Sequence, residues 1–206
     1  MFNLLKPKPG AGYAFDFEAA KRRCRSILID DDMSTVAVDT AKAEGYNLIK
    51  VIKVDPSVIT ACETGTFDIV LLDQPSLGLF DRIRTANPAQ YLIAVGAQPE
   101  HPAAAPYFQK ANGKLKKPFD AAALKGALDA GIKALFDRNL LLTQIADMLT
   151  KMKIDKVLVD AVIDSLKKNI PPTVGGITKL VKTAIKPLPL TPELTCTLWQ
   201  LVKVRE

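Results

Sequence analysis

The chain has 206 residues and 48% hydrophobic content, enough for one ordinary domain and a smaller one, with 28 Lys/Arg against 22 Asp/Glu for a formal charge of +6. Cys24, Cys62 and Cys196 lie far apart with no CxxC pair, which excludes a disulfide framework or a zinc site, and the single histidine, His101 in Gln98–Pro102, argues against a Ser-His-Asp or Cys-His centre. No run of about eighteen apolar residues occurs and the apolar start is too short for a signal peptide, so the expectation is a soluble cytoplasmic protein with reduced thiols and no membrane insertion.

Residues 1–24 read as an amino-terminal arm, Pro/Gly-rich at first and helical for a turn or two over Phe15–Arg23. Arg22, Arg23 and Arg25 fit a solvated face better than a phosphate patch. Residues 25–137 are then punctuated regularly. Ser26–Ile29 is an aliphatic strand that ends in three carboxylates, Asp30, Asp31 and Asp32, and a helix over Ser34–Glu44 is stopped by Gly45. Tyr46–Val54 is a β-branched second strand, Pro56–Glu63 a helix stopped by Gly65, and Phe67–Asp73 a nearly continuous apolar strand ending in another carboxylate.

A short helix over Leu79–Thr85, a strand over Tyr91–Val95, a helix over Ala103–Ala111, a strand over Gly113–Phe119 and a helix over Asp120–Phe136 complete the alternation. Strands and helices at this spacing predict a parallel five-stranded sheet covered on both faces. Right-handed crossovers bring Asp30–Asp32, Asp73 and Lys117 to one edge.

Three features carry a resemblance: the acidic pair after the first strand, Asp68-Ile69-Val70-Leu71-Leu72-Asp73, and Lys117-Pro118-Phe119. With these, residues 26–136 resemble the receiver domain of bacterial response regulators, a flavodoxin-like (βα)5 fold. The family's acidic pair falls on Asp31 and Asp32, with Asp30 and Asp31 as the alternative alignment. The resemblance implies that Asp73 accepts a phosphoryl group from a histidine kinase. It also implies that Mg²⁺, held by Asp31, Asp32 and Asp73, and the Lys117 ammonium neutralise the charge that builds up on the transferring oxygens.

The sequence departs from that pattern in three places. The hydroxyl residue at the end of the fourth strand is replaced by Gly96, so a phosphoryl group would lack its usual lever. The loop after Asp73 is shortened to Gln74–Gly78, with Ser76 its only hydroxyl, and the aromatic position three before the lysine is Lys114. A relic site, in which Lys117 simply pairs with the carboxylates, is the reading weighed against a working phosphoacceptor.

Residues 138–206 form a helical carboxyl-terminal module holding 11 Lys/Arg against 6 Asp/Glu. Leu128, Leu135, Leu142 and Leu149 recur every seven residues, with Ile145 and Met152 between. They fit one long helix, or two kinked near Asp137–Asn139, whose stripe packs on the chain's own later helices in preference to a homodimer seam. Helices are predicted over Ile154–Lys168, over Val174–Ile185, and from Thr191 to about Val202, the last with Trp199 in its core. Lys179, Lys182 and Lys186 are the best candidates for touching nucleic acid, although no helix-turn-helix pattern precedes them.

With no glycine-rich loop after the first strand and no further general base, an enzyme is not indicated. The expectation is an atypical response-regulator-like signalling protein that acts on protein partners, a histidine kinase or another signalling protein, independently of standard phosphorylation switching. The alternative is a DNA-binding regulator controlled through Asp73.

Overall fold

The computed structural model describes residues 15–29, 35–52, 55–88, 90–168 and 191–203. Strand β1 (Arg25–Ile29) is preceded by helix α1 (Phe17–Arg23), whose amino end is capped by the Asp16 carboxylate accepting from the Ala19 N–H. There follow α2 (Thr35–Ala43), β2 (Asn47–Val51), α3 (Pro56–Glu63), β3 (Ile69–Asp73), α4 (Leu79–Ala86), β4 (Tyr91–Gly96), α5 (Ala105–Lys110), β5 (Gly113–Lys116) and α6 (Ala121–Phe136). Gly45 and Gly65 stand at the predicted helix stops with φ +90° and +71°, a conformation that side chains resist.

The five strands are all parallel in the order β2-β1-β3-β4-β5. This is the flavodoxin-like order, and the chain reverses its direction of winding between β1 and β3. Alternate residues of the central strands feed two cores. Leu28, Ile69, Leu71, Ile93 and Val95 pack beneath α1, α2 and α6, while Ile27, Val70, Leu72, Leu92 and Ala94 pack beneath α3, α4 and α5.

Two strands are shorter than their composition predicts. Strand β2 lies at the sheet edge and pairs only with β1, in register from Arg25↔Asn47 to Ile29↔Val51, so it ends where its partner ends and leaves Ile52 exposed. Strand β5 stops at Lys116, before a cis Lys117–Pro118 bond. Helix α5 begins only at Ala105, because the preceding residues turn around the His101 carbonyl, which accepts from the Ala104 and Ala105 N–H groups at 2.8 and 2.9 Å.

Beyond the sheet run α7 (Arg138–Lys151), α8 (Lys156–Lys168) and α9 (Pro192–Lys203). The junction of α6 and α7 is a single residue. The Asp137 N–H closes α6 on the Lys133 carbonyl, and its carboxylate accepts from the Asn139 and Leu140 N–H groups to open α7. Two helices therefore replace one long one. The seven-residue leucine stripe is divided between two cores: Leu128 and Leu135 pack on the sheet, and Leu142, Ile145 and Leu149 pack with Val159, Val162, Leu166, Leu194, Leu198 and Leu201. The chain's own later helices cover it, as expected.

Candidate functional site

The carboxyl edge of the sheet gathers residues from three strands. Strand β3 carries Asp73 as its last residue, 2% exposed, in register with Val95 on β4. Strand β5 delivers Lys117, whose backbone N–H donates to the Gly96 carbonyl at 3.0 Å. The Lys117 ammonium lies 2.8 Å from Asp73 Oδ2, and the two side chains are 12% and 3% exposed. A carboxylate withdrawn from water to this extent requires a cation at hydrogen-bond distance, and the lysine supplies it.

Gly96 and the shortened loop after Asp73 meet in space. Gln74–Ser76 forms one 3-10 turn, Leu77 buries its side chain, and α4 starts two residues later. This brief path lays the Gln74 side chain over the end of β4. A Cβ placed on Gly96 would come within 3.0 Å of Gln74 Oε1 and 3.3 Å of both Gln74 Cβ and Phe108 Cζ. The position that the sequence marks as lacking a hydroxyl is thus closely approached by two neighbours.

Asp73 and Lys117 line a groove of about 530 Å³ whose walls also include Gln74, Leu77, His101 and Tyr107. His101 is exposed and its Nδ1 accepts from the Ala103 N–H at 3.3 Å, which makes it a helix-start residue. Ser76 is half-buried and is not among the residues that border the groove, and Lys114 is exposed on β5. Burial pushes the Cys24 thiol up to about 12 and the Cys62 thiol to about 11, so neither is a nucleophile at neutral pH.

Of the residues singled out from the sequence, Asp73, Lys117 and Gly96 come together. Asp30, Asp31 and Asp32 lie outside the described residues, as do Lys179, Lys182 and Lys186. Among the described residues no group of three His, Cys, Asp or Glu could hold a metal ion. Asp73 offers the hard carboxylate oxygens that Mg²⁺ prefers, with Oδ2 engaged by Lys117. Sequence reasoning missed Gln74 and Phe108. The one signal for them was a glycine where a hydroxyl residue was expected.

A parallel five-stranded sheet of this order, with a buried carboxylate at the end of β3 and a lysine just after β5, defines a flavodoxin-like α/β domain, here followed by helices. No family model matches the chain, and no curated protein matches it. Among solved structures, the chain is similar to NtrX from Brucella abortus in complex with ADP, with a TM-score of 0.47 and 14% identity over 78% of this chain and 41% of that one. The chain thus spans less than half the length of that protein. No helix among the described residues is long and apolar enough to cross a membrane.

Proposed function

We propose that this chain is a non-enzymatic, cytoplasmic signal-transduction protein of the response-regulator type, which works by contact with protein partners and does not depend on standard phosphorylation switching. The observation that carries this reading is the end of β4: Gly96 has no hydroxyl to bond a phosphoryl group, and a side chain introduced there would press on Gln74 and Phe108. A negative charge added at Asp73 has no side chain at position 96 to pull. The Asp73–Lys117 pair then serves as a fixed polar clasp between β3 and β5.

A second reading is favoured by the charge of residues 138–206, 11 Lys/Arg against 6 Asp/Glu: a DNA-binding regulator with Asp73 as phosphoacceptor and Lys179, Lys182 and Lys186 near the nucleic acid. In it, Asp31, Asp32 and Asp73 would hold Mg²⁺, which supplies charge neutralisation for phosphoryl transfer. Lys117 would hold the other side of the transferred group.

Incubation with Mg²⁺ and acetyl phosphate, read by intact mass and by amide hydrogen exchange beside Asp73→Asn, tests the choice. The proposed function expects unchanged exchange over residues 97–111 whether or not mass is gained. A labile phosphoryl gain lost in Asp73→Asn, together with altered exchange and DNA binding that falls steeply with salt, would establish the second reading instead.

A further inference from the structure

We infer that Gln74 is a built-in latch: its side chain takes the niche above Gly96 and pins the turn after β3 to the end of β4, so that no ligand is needed to set the position of the 97–104 connection. The inference goes beyond the proposed function, because it holds whether or not Asp73 accepts a phosphoryl group.

Gly96 is the last residue of β4, and its backbone is not in the left-handed region that favours glycine. Space, not conformation, is what a side chain there would meet: Gln74 and Phe108 would have to give by a few tenths of an ångström. The two obstructions arrive from different elements. Gln74 comes from the 3-10 turn that directly follows Asp73, with its Oε1 at 3.0 Å and its Cβ at 3.3 Å from a Cβ at position 96. Phe108, buried on α5, lies 3.3 Å from the same point. Separations of 3.0–3.4 Å are tighter than nine in ten real Cβ contacts. Gly96 also accepts the Lys117 N–H through its carbonyl at 3.0 Å, so one residue lies against the turn, against α5 and against the segment that carries the lysine.

Gln74, the residue next to Asp73, packs its side chain against the end of β4. The turn and the end of β4, from which the 97–104 connection departs, are therefore held together by side-chain contact within the chain itself.

The test is a mutant cycle on the full chain. Gly96→Ala alone would ordinarily be neutral or stabilising in a strand, because glycine loses more backbone freedom on folding. The latch predicts the opposite, a melting temperature lowered by about 3 °C or more. In a Gln74→Ala background at least half of that loss should disappear, since the amide oxygen no longer contests the niche. Gln74→Ala alone should speed amide hydrogen exchange over residues 97–104 and leave β1 and β3 unchanged. Gly96→Ala with no loss of melting temperature, losses that simply add in the double variant, or unchanged exchange in Gln74→Ala would each overturn the inference. Should Gly96→Ala fold in neither background, the exchange of Gln74→Ala decides it alone.

Discussion

The Arg138 guanidinium, on the first residue of α7, donates to the Leu166 carbonyl in the last turn of α8 at 2.9 Å, and to the Lys167 carbonyl at 3.4 Å. Arg138 is 7% exposed. The carbonyls at a helix's carboxyl end have no partners within the helix and carry its negative dipole end, so a buried cation there meets two needs at once. It also ties the residue that follows the α6–α7 junction to the far end of the next helix.

Replacing Arg138 by Met should therefore lower stability by about 2–3 kcal/mol, the range for removing a charged donor from buried acceptors. Urea denaturation gives the magnitude. Amide exchange should quicken most over residues 156–168, and a change of less than about 0.5 kcal/mol would mean that water replaces the cap without cost.

The Asp73–Lys117 pair should behave as a coupled unit. Lys117→Met and Asp73→Asn are each expected to destabilise by about 2–4 kcal/mol, because each removes one member of an ion pair largely withdrawn from solvent. The double variant should lose about 1–3 kcal/mol less than the sum of the two. Strict additivity in denaturant titrations would show that the two side chains do not depend on each other.

Two glycines of α6 should respond in opposite ways to alanine. A Cβ at Gly126 meets nothing within 4 Å, so Gly126→Ala should stabilise by about 0.5–1 kcal/mol through helix propensity alone. At Gly131 a Cβ would lie 2.6 Å from Ile69 Cδ1 and 3.1 Å from the Tyr91 ring, and Gly131→Ala should cost about 1–3 kcal/mol as these packed side chains are made to shift. Thermal unfolding of the two variants side by side checks both signs.

Alkaline pH should destabilise the protein. Burial raises the thiols of Cys24, to about 12, and Cys62, to about 11, and raises Tyr46 and Tyr91; for Tyr46 the hydrogen bond that its hydroxyl donates to Asp129 adds to the effect. All four bind their protons more tightly folded than unfolded. Their contribution is complete below the ordinary values of 9.0 for the thiols and 10.0 for the phenols, and is lost as pH rises through the folded values. Stability measured from pH 7 to 11 should be flat and then fall. Tyr46→Phe should lower it by about 1 kcal/mol at neutral pH and make the alkaline fall shallower. Thiol labelling mapped to the Cys24 and Cys62 peptides should be absent at pH 8 until denaturant is added.

Much of the α/β domain could be read before folding because its signals are local. Ile27–Ile29, Ile69–Leu72 and Leu92–Val95 are short apolar runs between turn formers, and each is buried on both faces. Pro56–Glu63 begins on the Asp55 cap and ends before Gly65, as its composition requires. The limits of β2 could not be read the same way, since Ile52 is as β-prone as Ile49 yet lies beyond the last paired residue, Val51. The break between α6 and α7 was narrowed to Asp137–Asn139, but the choice between one helix and two rested on hydrogen bonds made by a single carboxylate.

Local patterning was enough to set the alternation of strands and helices, the burial of the central strands and the placing of Asp73 and Lys117 at strand ends, because hydrophobic periodicity and turn residues act over a few neighbours. Tertiary structure alone decided that Lys117, expected to pair with the carboxylates, reaches Asp73 at 2.8 Å with both side chains largely buried, that Arg138 caps α8, and that Gln74 and Phe108 crowd Gly96. Those are contacts between side chains remote in the chain, set by how close one packed element comes to another, and no local pattern encodes a distance of that kind.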